Sequence, residues 1–476
     1  MHVYIFIIFL NLYFCTEFYS IFVDSVLNKE ILRLSIPSIL ANLTVPLVGL
    51  VDTAVAGHIQ ASDGAAAFIG AISLGAMLFN LLYWNFGFLR TGTGGLTAQA
   101  FGRGDPHDCT AILARGLSFS LIIAALTLLI QWPFVKFVLL CTQATGEVEA
   151  LAGQYFFIRI WAAPATLSLM VFSGWFVGMQ DSASSLCKDL VVNTVNIIAS
   201  ILLTLGCGSW KGIGFPGIAW GTVLAQYCGV LCCIAICVFK YRKSVLNAFS
   251  LKELRGMLGS GERRAFFKLN ANLFGRSLFF TFIYIGYTVI AATLGDLMLA
   301  CSSIIMQMLM IFSYFTDGFA YAGEALTGRF IGARDSVLMR RSVRYTFVWS
   351  MGIGLLFVGV YAVAGMPMLR SLTDDSLVVG ACRQFLPWLL LMPPLGCAAF
   401  FWDGIFLGAT ASRGMRNAMG GAAAAFFAVW FIGRALLPDI QNLAAGLHLL
   451  LGAYFAHLAF RAIYLTLRYK PDILSS

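Results

Sequence analysis

Runs of about 20 apolar residues recur almost without interruption from residue 35 to residue 467, and nothing else in the sequence constrains the fold as strongly. A helix of that length crosses roughly 30 Å of hydrocarbon. A chain in a bilayer must also satisfy its backbone hydrogen bonds within each segment, which leaves helices as the solution for such runs. Hydrophobic residues are 60% of the 476 and charged residues 11%, against about 45–50% and about 25% in an ordinary soluble domain. Spans are expected near 35–57, 66–96, 112–136, 155–179, 186–208, 216–239, 269–294, 299–327, 343–366, 384–408, 417–437 and 442–467. The fold class is therefore all-α integral membrane, with about twelve transmembrane helices.

The formal net charge of +9 does not point to nucleic acid, because the basic residues gather in alternate loops. They stand at Arg103, at Lys188, through 240–268, at Arg334, Arg340, Arg341 and Arg344, and at Arg413 and Arg416, while intervening loops are poor in charge or acidic. By the positive-inside rule the basic loops, and both ends of the helical body, are expected on the cytoplasmic side of the cell (inner) membrane. The twelve cysteines lie mostly in apolar helices and form no CxxC pair, so no metal and no cofactor is expected. Residues 1–24 are apolar and aromatic but lack a basic n-region, and they are set apart as an N-terminal extension.

The sequence is internally duplicated. LTAQAFGRGD, Leu96 to Asp105, aligns with LTGRFIGARD, Leu326 to Asp335, at an offset of 230 residues. The same offset carries GWFVG, Gly174 to Gly178, onto GIFLG, Gly404 to Gly408, and Pro164 onto Pro394. Two distant motifs sharing one offset imply two bundles of about six helices, at 25–239 and 269–476, joined by a basic cytoplasmic linker at 240–268. An even number of helices separates the copies, so both run the same way through the bilayer. Their pseudo-two-fold axis should lie along the membrane normal.

Within this apolar body Asp52 is conspicuous, because a carboxylate at bilayer depth costs several kcal/mol unless it is paired or protonated. On the fifth helix Asn193, Asn196, Ser200 and Thr204 follow spacings of three, four and four and form one polar stripe. Thr222 and Gln226 make a shorter stripe on the sixth, and Asn193 and Gln226 are expected to line the substrate cavity. If these faces meet the first helix, Asp52 gains oxygen and amide partners; if they do not, they hydrogen-bond helices together. On the eighth helix Gln307, Met310, Tyr314, Asp317, Tyr321 and Glu324 share one broad face, read as the lining of a substrate cavity. Arg90, late in the second helix, and Glu324, late in the eighth, are candidates for a charge pair closing an inner gate between the halves, or for separate pairing within each half. Arg159, Arg276 and Asp403 are further intramembrane charges, expected to be structural.

The runs LNKEILRLSIPSILANLTVPLVGLVDTAVAGH, FLRTGTGGLTAQAFGRGD, IRIWAAPA, GWFVGMQD, GFAYAGEALTGRFIGARD and WDGIFLGAT, in order between Leu27 and Tyr469, resemble those of multidrug and toxic compound extrusion (MATE) transporters of the DinF-type branch. The resemblance implies two six-helix bundles around a central cavity and export of organic, often cationic, compounds driven by inward H+ or Na+. It implies that Asp52 is a coupling carboxylate, with Asn196 and Thr222 in its network. Some members carry a second acid where this chain has Ser200, and the missing oxygen ligand favours H+ over Na+. The expected partners are therefore small organic substrates, H+ or alternatively Na+, and the lipid bilayer, with no nucleic acid, and the protein is expected to be a monomer. A lipid-linked precursor flippase of the same superfamily is a rival, opposed by the carboxylates Asp52, Asp317 and Glu324. No HExxH or GxSxG motif suggests an enzyme.

Overall fold

The computed structural model describes residues 25–59, 66–140, 145–242, 260–436 and 443–475. Within them twelve helical spans are long and apolar enough to cross a membrane. They are α1 (Ser25–Gly57), α2 (Ala67–Gly102), α3 (Pro106–Leu140), α4 (Gly146–Gly178), α5 (Ser182–Leu205), α6 (Pro216–Lys240), α7 (Arg264–Thr293), α8 (Asp296–Gly332), α9 (Ser336–Leu372), α10 (Ser376–Gly408), α11 (Ser412–Leu436) and α12 (Leu443–Leu474). Most run past the apolar limits expected from the sequence, because polar turns outside the hydrocarbon still complete the helical hydrogen bonding. The extension at 1–24 and positions 243–259 of the expected linker lie outside the described residues. The helix that carries α7 begins at Ser260, so the last basic residues read as linker belong to a helix.

The offset seen in the motifs governs the helices too: α3 and α9, α4 and α10, and α5 and α11 begin 230 residues apart. It also governs the corners. Gly104 and Arg334 occupy the left-handed backbone region at φ 69° and 56°, and Gln180 and Thr410 do so at 60° and 55°. In the LT…GxxD motif the closing Asp caps the next helix. The Asp105 carboxylate accepts from the Asp108 N–H at 2.9 Å, and Asp335 accepts from Val337 and Leu338 at 3.1 and 2.9 Å. Such a cap satisfies N–H groups that a helix start otherwise leaves unpaired.

The GxxxG motifs pack helices within each bundle, since small residues let backbones approach closely. A Cβ on Gly174 would lie 2.1 Å from the Arg90 carbonyl oxygen, and one on Gly404 would lie 2.1 Å from that of Ala320. Between bundles, α2 and α8 cross near their C-termini with the same economy: a Cβ on Gly102 would meet the Arg329 oxygen at 1.9 Å, and one on Gly332 the Gln99 oxygen at 2.0 Å. Hydrogen bonds tie this end further. Gln99 Nε2 donates to the Gly408 carbonyl at 2.9 Å, Gln180 Nε2 to the Ala325 carbonyl at 2.8 Å, and Trp349 Nε1 to Asn28 Oδ1 at 2.8 Å. Arg329 Nη1 donates to Glu30 Oε1 at 3.0 Å. Towards the middle of the helices the bundles still touch through Asn42 and the Tyr314 carbonyl and through Trp84 and Tyr284. The two pseudo-two-fold-related bundles thus close against each other at the end that carries the basic loops.

Candidate functional site

Asp52 lies on α1, is 5% exposed, and its Oδ1 has no hydrogen-bond partner in the protein. Helix α5 presents Asn196, Ser200 and Thr204 to this region, all buried, and α6 presents Thr222. Asn196 Nδ2 donates to Thr222 Oγ1 at 3.0 Å, and that hydroxyl donates to the Ile218 carbonyl at 3.2 Å. The Ser200 hydroxyl lies beside Asp52. A Cβ on Gly221 would fall 2.6 Å from the Ser200 nitrogen, so glycine there lets α6 close on α5. Asn196 Oδ1, Ser200 Oγ and Thr204 Oγ1 are, like Asp52 Oδ1, buried without a partner in the protein. Each such group in an apolar interior costs about 1–3 kcal/mol unless something else bonds to it. Four such atoms on α1 and α5 are left with hydrogen-bonding capacity to spare.

Arg159 of α4 completes this site, and its part was not legible beforehand. Its Nη1 donates to the Tyr155 hydroxyl at 2.6 Å, its guanidinium lies over the Phe79 ring at 4.7 Å, and its charge acts on Asp52. The helix breaks just beyond it, at the 3-10 turn Ile160–Ala162 before Pro164. The available signal was the one that singled out Asp52, a lone charge in an apolar run.

The other expected residues divide between open face and packing. On α8, Gln307 is exposed and Met310, Tyr314, Asp317 and Tyr321 are half-buried, while Met308, Phe312, Thr316 and Phe319 on the opposite side are buried. The expected cavity-lining face is therefore the one left partly open. Three other methionines of this helix, Met298, Met306 and Met308, belong to the core of the C-terminal bundle. Asn193 Nδ2 donates to Thr44 Oγ1 at 2.6 Å and so joins α5 to α1, while Gln226 is half-buried one turn from Thr222.

Arg90 and Glu324 meet across the bundle interface, with Arg90 Nη2 at 3.5 Å from Glu324 Oε2. The Arg90 guanidinium also lies 3.6 Å above the Tyr321 ring. Glu324 is 1% exposed, and glycine at 94 makes room for it: a Cβ there would fall 2.1 Å from Glu324 Oε1. Deeper in the C-terminal bundle Asp403 accepts from Arg276 Nη2 and Arg461 Nη2, each at 2.5 Å, joining α7, α10 and α12. The charges of Arg90, Asp403, Arg461 and Arg276 all act on Asp317. Arg461, 2% exposed, escaped notice in the sequence although its surroundings on α12 are as apolar as those of Asp52.

A twelve-helix, two-bundle membrane protein with buried charges at and between the bundles has the architecture of a secondary transporter. The MatE family model matches residues 37–202 and 273–431, and the chain belongs to that family. It is 32% identical over 406 residues to DNA damage-inducible protein F of Escherichia coli K12, covering 84% of each chain. It is 26% identical over 379 residues to a probable multidrug resistance protein NorM of Caulobacter vibrioides, covering 76% of this chain and 74% of that one. Among solved structures, a MATE protein in the bent conformation superposes with a TM-score of 0.80 at 19% identity, covering 94% of this chain and 96% of that one. A multidrug resistance MATE transporter in an outward-facing conformation superposes at 0.79 with the same identity and coverage.

Proposed function

We propose that this protein exports organic, often cationic, compounds by antiport against inward H+, with Asp52 as the carboxylate that exchanges a proton for substrate. The observation that carries the reading is the Asp52 carboxylate, buried with an unpartnered oxygen among Asn196, Ser200 and Thr222, and near Arg159. Sodium fits this set less well than a proton. A hard cation needs several oxygen ligands at short range. The residues set around Asp52 by α5 and α6, Asn196, Ser200 and Thr222, are neutral and add no second carboxylate to hold such an ion.

Ionised Asp52 attracts a cationic substrate. Protonation removes that attraction and lets α1, which carries Pro37 and Pro46 within its length, repack and release the substrate. Exchange of one proton for a monovalent cation moves no net charge, so its drive is the pH difference, about 1.4 kcal/mol per unit; a neutral substrate would gain a further amount of about 2.3 kcal/mol per 100 mV. The open face of α8, with Tyr314, Asp317 and Tyr321, offers aromatic and acidic contacts to the substrate. The Arg90–Glu324 pair holds the basic-loop end shut between turnovers. The protein acts as a monomer in the cell inner membrane, with both ends of the helical body cytoplasmic.

The ion is tested by dye efflux from proteoliposomes under an imposed pH gradient and, separately, an imposed Na+ gradient. Efflux driven by the pH gradient alone is expected. Efflux driven only by Na+ would overturn the choice of ion.

A further inference from the structure

The two bundles carry pseudo-equivalent corners at the basic-loop end, and these corners differ in charge. At the first, Asp181 sits between α4 and α5 and is 7% exposed. Its carboxylate accepts from Lys240 Nζ at 2.7 Å, the Tyr241 hydroxyl at 2.7 Å and the Ser184 hydroxyl at 2.5 Å. Beside it Arg329 is paired with Glu30. Three cations, Arg33, Lys240 and Arg329, line this corner against two carboxylates, Glu30 and Asp181.

At the second corner the acid comes from α12 instead: a Cβ on Gly414 would lie 2.8 Å from Asp472 Oδ2. At the same 230-residue offset Lys240 becomes Lys470, Asp181 becomes Ala411, Ser184 becomes Gly414 and Arg329 answers to Gln99. A cavity of about 800 Å³ opens there between the bundles. It is lined by Arg103, just past α2, and Arg115 of α3, and by Lys268, Arg413 and Arg468 from the other bundle, against two carboxylates, Asp108 and Asp472. Asp108 is engaged by Arg103 at 2.6 Å and by Arg115 at 3.8 Å, and Asp472 by Arg468 at 2.5 Å. Lys268 and Arg413 form no ion pair among the described residues. Phe266, Leu269 and Ile112 supply apolar wall beside these cations, a mixture suited to the headgroup and first carbons of an amphiphile.

We propose that this cavity binds a phosphate-bearing anion between the basic residues that the two bundles contribute to its wall. Arginine and lysine around a cavity satisfy phosphate through charge-assisted hydrogen bonds. Because Arg103 and Arg115 belong to one bundle and Lys268 and Arg413 to the other, the bound anion bridges the bundles. It therefore stabilises the arrangement in which Gln99 reaches Gly408 and this end is closed. The anion is then a regulator that holds the transporter shut at the basic-loop face, at a site separate from Asp52.

The test is the thermal stabilisation of detergent-purified protein titrated with dioctanoyl phosphatidic acid, with dioctanoyl phosphatidylcholine, and with inorganic phosphate. Saturable stabilisation by phosphatidic acid and none by phosphatidylcholine is expected. Stabilisation by inorganic phosphate as well assigns the site to the free ion, and its absence assigns it to a lipid headgroup. The double variant Lys268→Gln, Arg413→Gln should weaken the apparent affinity at least tenfold. Ala411→Asp, which adds a carboxylate to the cavity wall, should do the same, while Arg33→Gln, at the other corner, should leave the affinity unchanged. No stabilisation by either phosphate compound, equal stabilisation by phosphatidylcholine, or unchanged affinity in well-folded Lys268→Gln, Arg413→Gln and Ala411→Asp proteins would overturn the proposal.

Discussion

Charged side chains in this protein are informative in proportion to how completely their partners account for them. Asp181 is fully accounted for. Burial works against its ionised form, but the Lys240 ammonium and the Ser184 and Tyr241 hydroxyls outweigh it and hold the carboxyl below its ordinary range. Its stabilising contribution is therefore present above the unfolded value of about 3.9 and is lost as pH falls through the lower folded value. Asp181→Asn should lower the melting temperature at pH 7, with the gap to wild type closing below about pH 4; a constant gap down to pH 3 would contradict this. Asp52 is the opposite case, a buried carboxylate with an unpartnered oxygen. It was legible in the sequence because a lone acid in an apolar run carries its cost openly. Arg159 and Arg461 carry the same signal, but their roles depend on which helix each faces, and helix order in space is not encoded by periodicity along one helix. The Arg90–Glu324 contact across the interface is testable by a double-mutant cycle of Arg90→Met and Glu324→Gln. A coupling of about 1–3 kcal/mol in transport free energy is expected, and strictly additive effects would show that each charge acts alone.

Among the helices, the sequence motifs turn out to be packing devices before they are functional ones. GWFVG and GIFLG bring α4 against α2 and α10 against α8, and the LT…GxxD motif supplies a left-handed corner followed by an Asp cap. That is why the 230-residue offset was readable: steric and capping requirements fix residue identity at fixed places in each copy. The reciprocal contact of Gly102 and Gly332 was not readable, since nothing along the chain says that α2 meets α8. It has a consequence for the transport cycle. Gly102→Val places methyl groups where the Arg329 carbonyl stands, and overpacking of this kind costs about 1–3 kcal/mol. Spin-label distances between residues 104 and 334 should lengthen in that variant, and an unchanged distance distribution would show that the crossing does not hold this end closed. The polar stripe of α5 divides in a similar way: Asn193 binds Thr44 across to α1, whereas Asn196 and Ser200 face the Asp52 site.

For the molecule as a whole, the duplicated body places different chemistry in equivalent bundles. The N-terminal bundle holds Asp52 with neutral oxygen and amide neighbours and one arginine; the C-terminal bundle holds Asp403 between two arginines, with Asp317 on the partly open face of α8. The helix count and the repeat were legible because bilayer thickness and duplication act on long stretches of sequence. The division of labour between bundles was not, because it arises from which side chains the two pseudo-equivalent folds bring within a few ångströms. A transporter of this form needs one site whose charge state decides whether substrate or coupling ion is held, and the proposal assigns that part to Asp52. The most direct measurement is dye efflux from proteoliposomes under an imposed pH gradient, comparing wild type with Asp52→Asn at matched reconstitution. The variant should fold, bind dye and lose gradient-driven efflux by at least tenfold. Coupled efflux undiminished in Asp52→Asn would contradict the assignment of Asp52 as the coupling carboxylate.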